Sequence, residues 1–129
     1  MKNLVMVVDD ESDIRQVLSD LLTLDGYSVM LAKNGREALD LVADTTPCLI
    51  LLDLMMPVMD GYQFLEEWDA DPRSADVAVI VSTAGQIEKP LRVSGVLPKP
   101  LDLEKFESML GLYCCSSLYE TLAGVKSLQ

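Results

Sequence analysis

Five residues capable of chemistry stand just where apolar runs give out. Asp9 and Asp10 follow Leu4 to Val8, Asp53 follows Leu49 to Leu52, Thr83 comes just after Val77 to Val81, and Lys99 follows Gly95-Val96-Leu97 between Pro98 and Pro100. Three carboxylates brought together raise one another's pKa, and a bound divalent cation relieves that repulsion. Oxygen ligands without thiolate or imidazole suit Mg2+, which keeps water and is usually completed by phosphate oxygens. Asp10 and Asp53 are expected to hold it directly, with the backbone carbonyl of Met55 as a third ligand and Asp9 acting through water. Asp53 leaves a strongly apolar strand with no obvious local partner, and its expected chemistry is nucleophilic attack on phosphorus to give an acyl phosphate. The cation would neutralise charge on the transferring oxygens. Lys99, its backbone restricted by two prolines, suits a point contact to a phosphoryl oxygen, and the Thr83 hydroxyl could donate to the same group. Each residue alone has a plainer account: Asp9-Asp10 as a helix N-cap pair, Lys99 as a surface lysine, Thr83 as a cap on the following turn.

The elements that must position these groups are legible in the hydrophobic period. Leu4 to Val8 and Leu49 to Leu52 are uninterrupted apolar runs, the pattern of strands covered on both faces. Ile14, Val17, Leu18, Leu21 and Leu22 then recur at helical spacing, as do Ala38, Leu41 and Val42, and Tyr62, Leu65 and Trp68. Further strands are expected over Tyr27 to Leu31, Val77 to Val81 and Gly95 to Leu97. A last helix starting near Asp102 is expected to bury Leu103, Phe106 and Leu110. Strand and helix patterns alternate about five times, the signature of a doubly wound α/β domain with a parallel sheet. Ligands of such folds bind outside the carboxyl ends of the strands. All five chemical residues sit at such ends and would converge on one edge.

Composition narrows the function further. The 129 residues carry 21 acids against 10 bases, a net charge of −11, which repels nucleic acid and anionic lipid. Direct nucleic-acid binding is therefore not expected. Histidine is absent, so any chemistry runs on carboxylates, Lys99, hydroxyls or thiols. Cys48, Cys114 and Cys115 match no zinc or dithiol spacing, and their odd count suits a reducing compartment, with Cys48 opening a buried strand and the adjacent pair either a packing element or an oxidation liability. The N-terminal MKNLVMVVDDE lacks the core and cleavage site of a signal peptide, and no apolar run spans a bilayer. A cytoplasmic protein without membrane insertion, starting naturally at Met1, is expected.

The segments VVDDE at 7 to 11, LLDLMMPVMDG at 51 to 61, STA at 82 to 84 and LPKP at 97 to 100 resemble, in order and separation, the bacterial response-regulator receiver domain. The resemblance runs from Lys2 to about Tyr113, so residues 1–113 are expected to form the receiver and 114–129 a C-terminal tail. It implies a flavodoxin-like sheet of order 2-1-3-4-5 and a phosphoryl group received from a histidine kinase or histidine phosphotransfer protein. By the family pattern Asp53 is the acceptor, Asp9 and Asp10 the acid pair, Thr83 the switch hydroxyl, Lys99 the invariant lysine, and the Lys99-Pro100 bond is cis. The resemblance also admits a homodimer.

Two departures qualify the output. The position of the usual switch aromatic on the fifth strand is Val96, whose branched side chain lacks the large rotamer change of Tyr or Phe. Only 16 positions separate Thr83 from Lys99, about six fewer than relatives commonly have, so roughly 9 Å of the fourth helix would be missing. A shortened fourth helix is expected. Met55 and Gly85 occupy positions where rapidly dephosphorylating relatives place polar side chains, so slow loss of the phosphoryl group is expected. Two other functions compete with signalling: a degenerate receiver acting as a constitutive scaffold, and a magnesium-dependent phosphohydrolase of the haloacid dehalogenase type. The second would need a DxDx[TV] strand, whereas Asp53 is followed by Leu54-Met55.

Overall fold

The computed structural model describes residues 3–116. Five parallel strands form one sheet in the order β2-β1-β3-β4-β5: β1 Leu4–Val8, β2 Ser28–Ala32, β3 Leu49–Leu52, β4 Ala78–Thr83 and β5 Gly95–Pro98. β1 and β3 have the bounds read from the sequence, because runs apolar at every position leave no alternative to burial on both faces. Every residue of β3 and β4 is buried. Strand alternation divides the core in two. Met6, Val8, Ile50, Leu52, Val79 and Val81 face α2 (Gly35–Val42) and α3 (Gly61–Asp69). Val5, Val7, Leu49, Leu51, Ile80 and Leu97 face α1 (Ser12–Leu24) and α4 (Leu103–Tyr113). Each aliphatic side chain so enclosed contributes roughly 1.5–3 kcal/mol relative to exposure.

Local signals start the helices. The Asn34 side chain accepts from Glu37 N–H at α2 and Asp102 from Lys105 N–H at α4. At α3 Asp60 and Gln63 cap each other's backbone reciprocally. A 3-10 turn over Pro72–Asp76 joins α3 to β4, held by Arg73 on Asp71 at 2.7 Å, and the Arg73 guanidinium lies 5.3 Å from the Trp68 ring.

Four features depart from the sequence reading. The shortened fourth helix is not there: residues 84–94 run from β4 to β5 without helix. Leu91 and Val93 of this strap instead cover the α3 side of the core, while the Tyr62 hydroxyl accepts from Glu88 N–H at 2.8 Å and the Lys89 ammonium lies over the Tyr62 ring. Pro90 removes a donor from a segment already too short for stable turns. Second, Cys48 and Cys114 are joined in a disulfide, with Cα atoms 5.7 Å apart, and Cys115 is left as a thiol, where the cysteine count suggested a reducing compartment and an adjacent pair at 114 and 115. The end of α4 packs over the start of β3, which a spacing of 66 residues could not reveal. Third, Val17 is 56% and Leu103 39% exposed, although their spacing places both on apolar faces. They border a groove between α1 and α4 rather than the core. Last, β2 and β4 start one residue later than the apolar pattern indicated, and β4 continues through Thr83.

The tail expected from residue 114 is described only to Ser116, and Cys114 and Ser116 are buried. The remainder, residues 117–129, lies outside the described residues. Among the described residues no helix is long and apolar enough to cross a membrane.

Candidate functional site

Register brings the carboxylates together. Val8 pairs with Leu52 and Leu52 with Val81, so the next residues, Asp9, Asp53 and Ser82, come level at the carboxyl edge. Their backbones are tied as well: Asp53 N–H donates to Val8 O at 2.9 Å, and Lys99 N–H to Thr83 O at 3.1 Å. The carboxylate oxygens of Asp9, Asp10 and Asp53 lie within 4.8 Å of one another. Asp9 and Asp53 are 4% and 6% exposed, whereas Asp10 faces solvent.

Lys99 reaches into this cluster, its ammonium 2.7 Å from Asp9 Oδ2 and 3.3 Å from Asp53 Oδ2. The Lys99-Pro100 peptide is cis. Burial opposes the charge on Lys99, but the hydrogen bond to Asp9 and the charges of Asp53 and Asp9 outweigh it and hold its pKa above the ordinary lysine value. Asp53 moves upward, which a lysine contact alone would not produce. Burial raises it most; the Met55 N–H at 3.2 Å and Lys99 lower it, and the nearby Asp9 raises it again. The two shifts agree once the distances are weighed, since Lys99 is committed mainly to Asp9.

Asp9 does not cap α1. Glu11 holds the N-cap position without a side-chain bond, and Asp9 Oδ1 instead accepts from Glu11 N–H at 2.9 Å while Asp9 O accepts from Arg15 at 2.7 Å. The helix start therefore orients Asp9. After Asp53 the chain turns tightly: Val58 has φ of 71°, a costly conformation for a branched residue, and Gly61 N–H donates to Leu54 O. A Cβ on Gly61 would meet Asp53 O at 2.6 Å and Leu54 Cα at 2.8 Å, so only glycine lets α3 start this close to the end of β3.

Thr83 is buried at the end of β4, where its carbonyl accepts from Lys99 N–H, and Met55 is 65% exposed two residues after Asp53. Val96 pairs with Val81 and is 45% exposed, since among the described residues no helix covers it. Ser82 was overlooked in the sequence. Alternation along β4 turns it away from Thr83, toward the face of Ile80, and its hydroxyl is buried with no hydrogen-bond partner among the described residues. Its place two residues after Ile80 on one strand was the signal available for it.

The donor set fits a hard divalent cation: three carboxylates at one edge of a chain with no histidine, where among the described residues no thiol joins the group. An isolated cluster of this kind would otherwise depend on Lys99 alone for compensation.

Comparisons with known proteins agree with this geometry. A family model described as "Response regulator receiver domain" matches residues 5–110. The chain is 39% identical to the response regulator MprA of Mycolicibacterium vanbaalenii over 108 residues, covering 78% of this chain and 46% of that one. It is 43% identical over 83 residues to a probable transcriptional regulator, ycf27, of Porphyra purpurea, covering 64% and 33%. The chain thus spans a third to just under half of the length of these curated relatives. Among solved structures, a response regulator receiver protein from Pseudomonas putida superposes with a TM-score of 0.79 at 26% identity, covering 86% of this chain and 97% of that one. The chemotaxis protein CheY4 of Vibrio cholerae gives 0.78 at 28% identity, covering 88% and 99%.

Proposed function

Because the chain belongs to the response regulator receiver domain family of two-component systems, we propose that Asp53 accepts a phosphoryl group from the phosphohistidine of a histidine kinase or phosphotransfer protein. The observation that carries this reading is the Asp53 carboxylate at the end of β3, 3.3 Å from the Lys99 ammonium and grouped with Asp9 and Asp10. An Asp53 oxygen attacks phosphorus, the P–N bond to the donor imidazole breaks, and an acyl phosphate forms. Lys99 exchanges part of its contact with the carboxylates for a phosphoryl oxygen, and the Thr83 hydroxyl donates to another. Asp10, Asp53, the Met55 carbonyl and, through water, Asp9 would hold Mg2+. When bound, the ion neutralises charge on the transferring oxygens.

The phosphoryl group adds charge at one edge and biases the adjoining strap, 84–94, through Thr83. Val96, exposed and branched, adds no aromatic movement to that shift, so the strap and its contacts with Tyr62 carry the signal to a protein partner. A cytoplasmic location follows from the phosphohistidine donor. Scaffold and phosphohydrolase readings draw on no specific observation, since the acidic residues, Lys99 and Thr83 are all present at the edge.

The test is intact-mass measurement after incubation with acetyl phosphate. Addition of one phosphoryl group that requires Mg2+ and disappears in Asp53→Asn supports the reading. Absence of uptake with every small donor and with a phosphorylated histidine phosphotransfer protein defeats it, and continuous release of inorganic phosphate at a constant rate would favour the hydrolase.

A further inference from the structure

α1 carries more apolar surface than the sheet covers. Leu18 and Leu22 face the core, whereas Val17, Leu21 and Leu24, at i, i+4 and i+7, line one flank of the helix: Val17 is 56% and Leu24 75% exposed, and Leu21 is half-buried. Val17 shares the wall of the cavity beside Asp53 with Leu103 of α4, so this flank looks into the groove between the two helices. An apolar stripe of this kind suits a cover of the same period. Asp13 and Asp20, four residues before and three after Val17, edge it with negative charge, and Arg15, the only base of α1, is bonded to Asp9 O.

The chain itself supplies such a cover. The described residues stop at Ser116, beside the end of α1: Cys114 and Leu22 are buried in one cluster, and Tyr27, three residues past α1, packs against it. Thirteen residues follow, as many as α1 has, and a helix of that length measures about 20 Å. In their sequence Leu118, Leu122 and Val125 recur at i, i+4 and i+7, so that in an antiparallel arrangement the outer pairs, Leu118 with Leu24 and Val125 with Val17, are seven residues apart on both sides. Lys126, the only base among these residues, adjoins the stripe at helical spacing, and Glu120, the only acid, falls on the opposite side. A helix this short is marginal in water, so its stability would come from the face it covers.

We propose that residues 117–129 dock as an amphipathic helix antiparallel to α1, with Leu118 on Leu24, Leu122 on Leu21, Val125 on Val17, and Lys126 beside Asp13 and Asp20. The far end of the segment would then stand over the mouth of the cavity that Asp9, Asp53 and Lys99 line. There it would shield the acidic edge from a protein donor while ions and acetyl phosphate still enter. That shielding, unlike the docking, rests on Asp53 as the acceptor.

The test is methyl NMR on the full chain with the Cys48–Cys114 bond intact. Cross-relaxation between the methyls of Val125 and Val17, and between those of Leu122 and Leu21, is expected. Leu122→Asp should abolish it, lowering the ratio of docked to free segment at least about tenfold, the worth of one buried leucine, while moving only the methyls of the α1 flank and the cavity. Lys126→Glu should weaken docking about twofold, as loss of an exposed ion pair does, and Asp20→Lys in the same chain should restore it. Cross-relaxation seen only between differently labelled molecules would give the face to a second copy and overturn the proposal. Absence of any contact from residues 117–129 to α1, or a Leu122→Asp spectrum matching the parent on α1, would also overturn it. For the shielding, Leu122→Asp should accept phosphoryl groups from a phosphorylated histidine phosphotransfer protein severalfold faster than the parent, with unchanged uptake from acetyl phosphate. Equal rates from the protein donor would overturn the shielding, whereas no uptake from either donor would defeat the reading of Asp53 alone, the methyl contacts deciding the docking.

Discussion

Replacing Lys99 with methionine keeps most of the apolar stem and deletes the ammonium that answers two buried carboxylates. At an effective dielectric constant of about 20, unit charges 2.7 Å and 3.3 Å apart attract by roughly 6 and 5 kcal/mol. Desolvation of the ions offsets much of that in the intact protein, but the carboxylate part of the cost remains when Lys99 is gone. Removing one partner of a buried pair typically costs about 3–5 kcal/mol. The edge is open to water and the Lys99 side chain is 16% exposed, so the low end, about 3 kcal/mol, is expected at neutral pH without metal. Urea unfolding followed through Trp68, the only tryptophan and 1% exposed, measures it. Two controls locate the effect. Lys99→Met combined with Asp53→Asn should lose less than Lys99→Met alone, and Mg2+ should stabilise Lys99→Met by at least about 1 kcal/mol more than it stabilises the parent, because the cluster then has no other cation. A loss under about 1 kcal/mol, or equal gains from Mg2+, would refute the view that Lys99 holds this edge together.

Asp53→Asn should make the metal-free protein more stable at neutral pH. The raised pKa means the folded state holds the Asp53 proton more tightly than the unfolded chain, so stability is lost as pH rises from the ordinary value of 3.8 through the folded one. The gain from asparagine should therefore vanish below that window, and a gain that persists in acid would point to some other cause. Reducing the Cys48–Cys114 bond, or substituting both residues with alanine, reopens a loop of 66 residues, and loop-closure entropy sets the loss at about 4 kcal/mol; urea midpoints unmoved by reductant would mean the bond does not form in solution. Gly61→Ala drives a methyl into Asp53 O and the Leu54 backbone, and should cost about 2 kcal/mol and slow Asp53 phosphorylation, read by denaturation and by intact mass. Met55→Asn puts a polar group where an exposed methionine now stands, and should shorten the acyl phosphate lifetime severalfold; an unchanged decay rate removes that role.

What the sequence disclosed follows from what local patterns encode. β1 and β3 were legible to the residue because a fully apolar run ending in acid has one comfortable place, a buried strand whose end meets water. The same logic located Asp9, Asp53 and Lys99 together before any distance was known. Leu103 and Val17 misled because helical spacing reports an apolar face without telling whether that face meets core or groove. The Cys48–Cys114 bond depends on the end of α4 reaching the start of β3, a contact between chain-distant residues with no spacing signature. The missing fourth helix was half legible: the interval from Thr83 to Lys99 was visibly short, but that Leu91 and Val93 could cover the core from an irregular strap was not. Ser82 stood in plain view beside Thr83, and only the parity of β4 separates their directions.

The most direct measurement is to locate the phosphoryl group itself. After incubation with a phosphodonor and Mg2+, borohydride reduces an aspartyl phosphate to homoserine, and peptide mass mapping then identifies the position modified. Homoserine at position 53 alone is the expected result. Modification at Asp9 or Asp10, or no reducible aspartate anywhere in a protein that has gained phosphate, would contradict the assignment of Asp53 as acceptor.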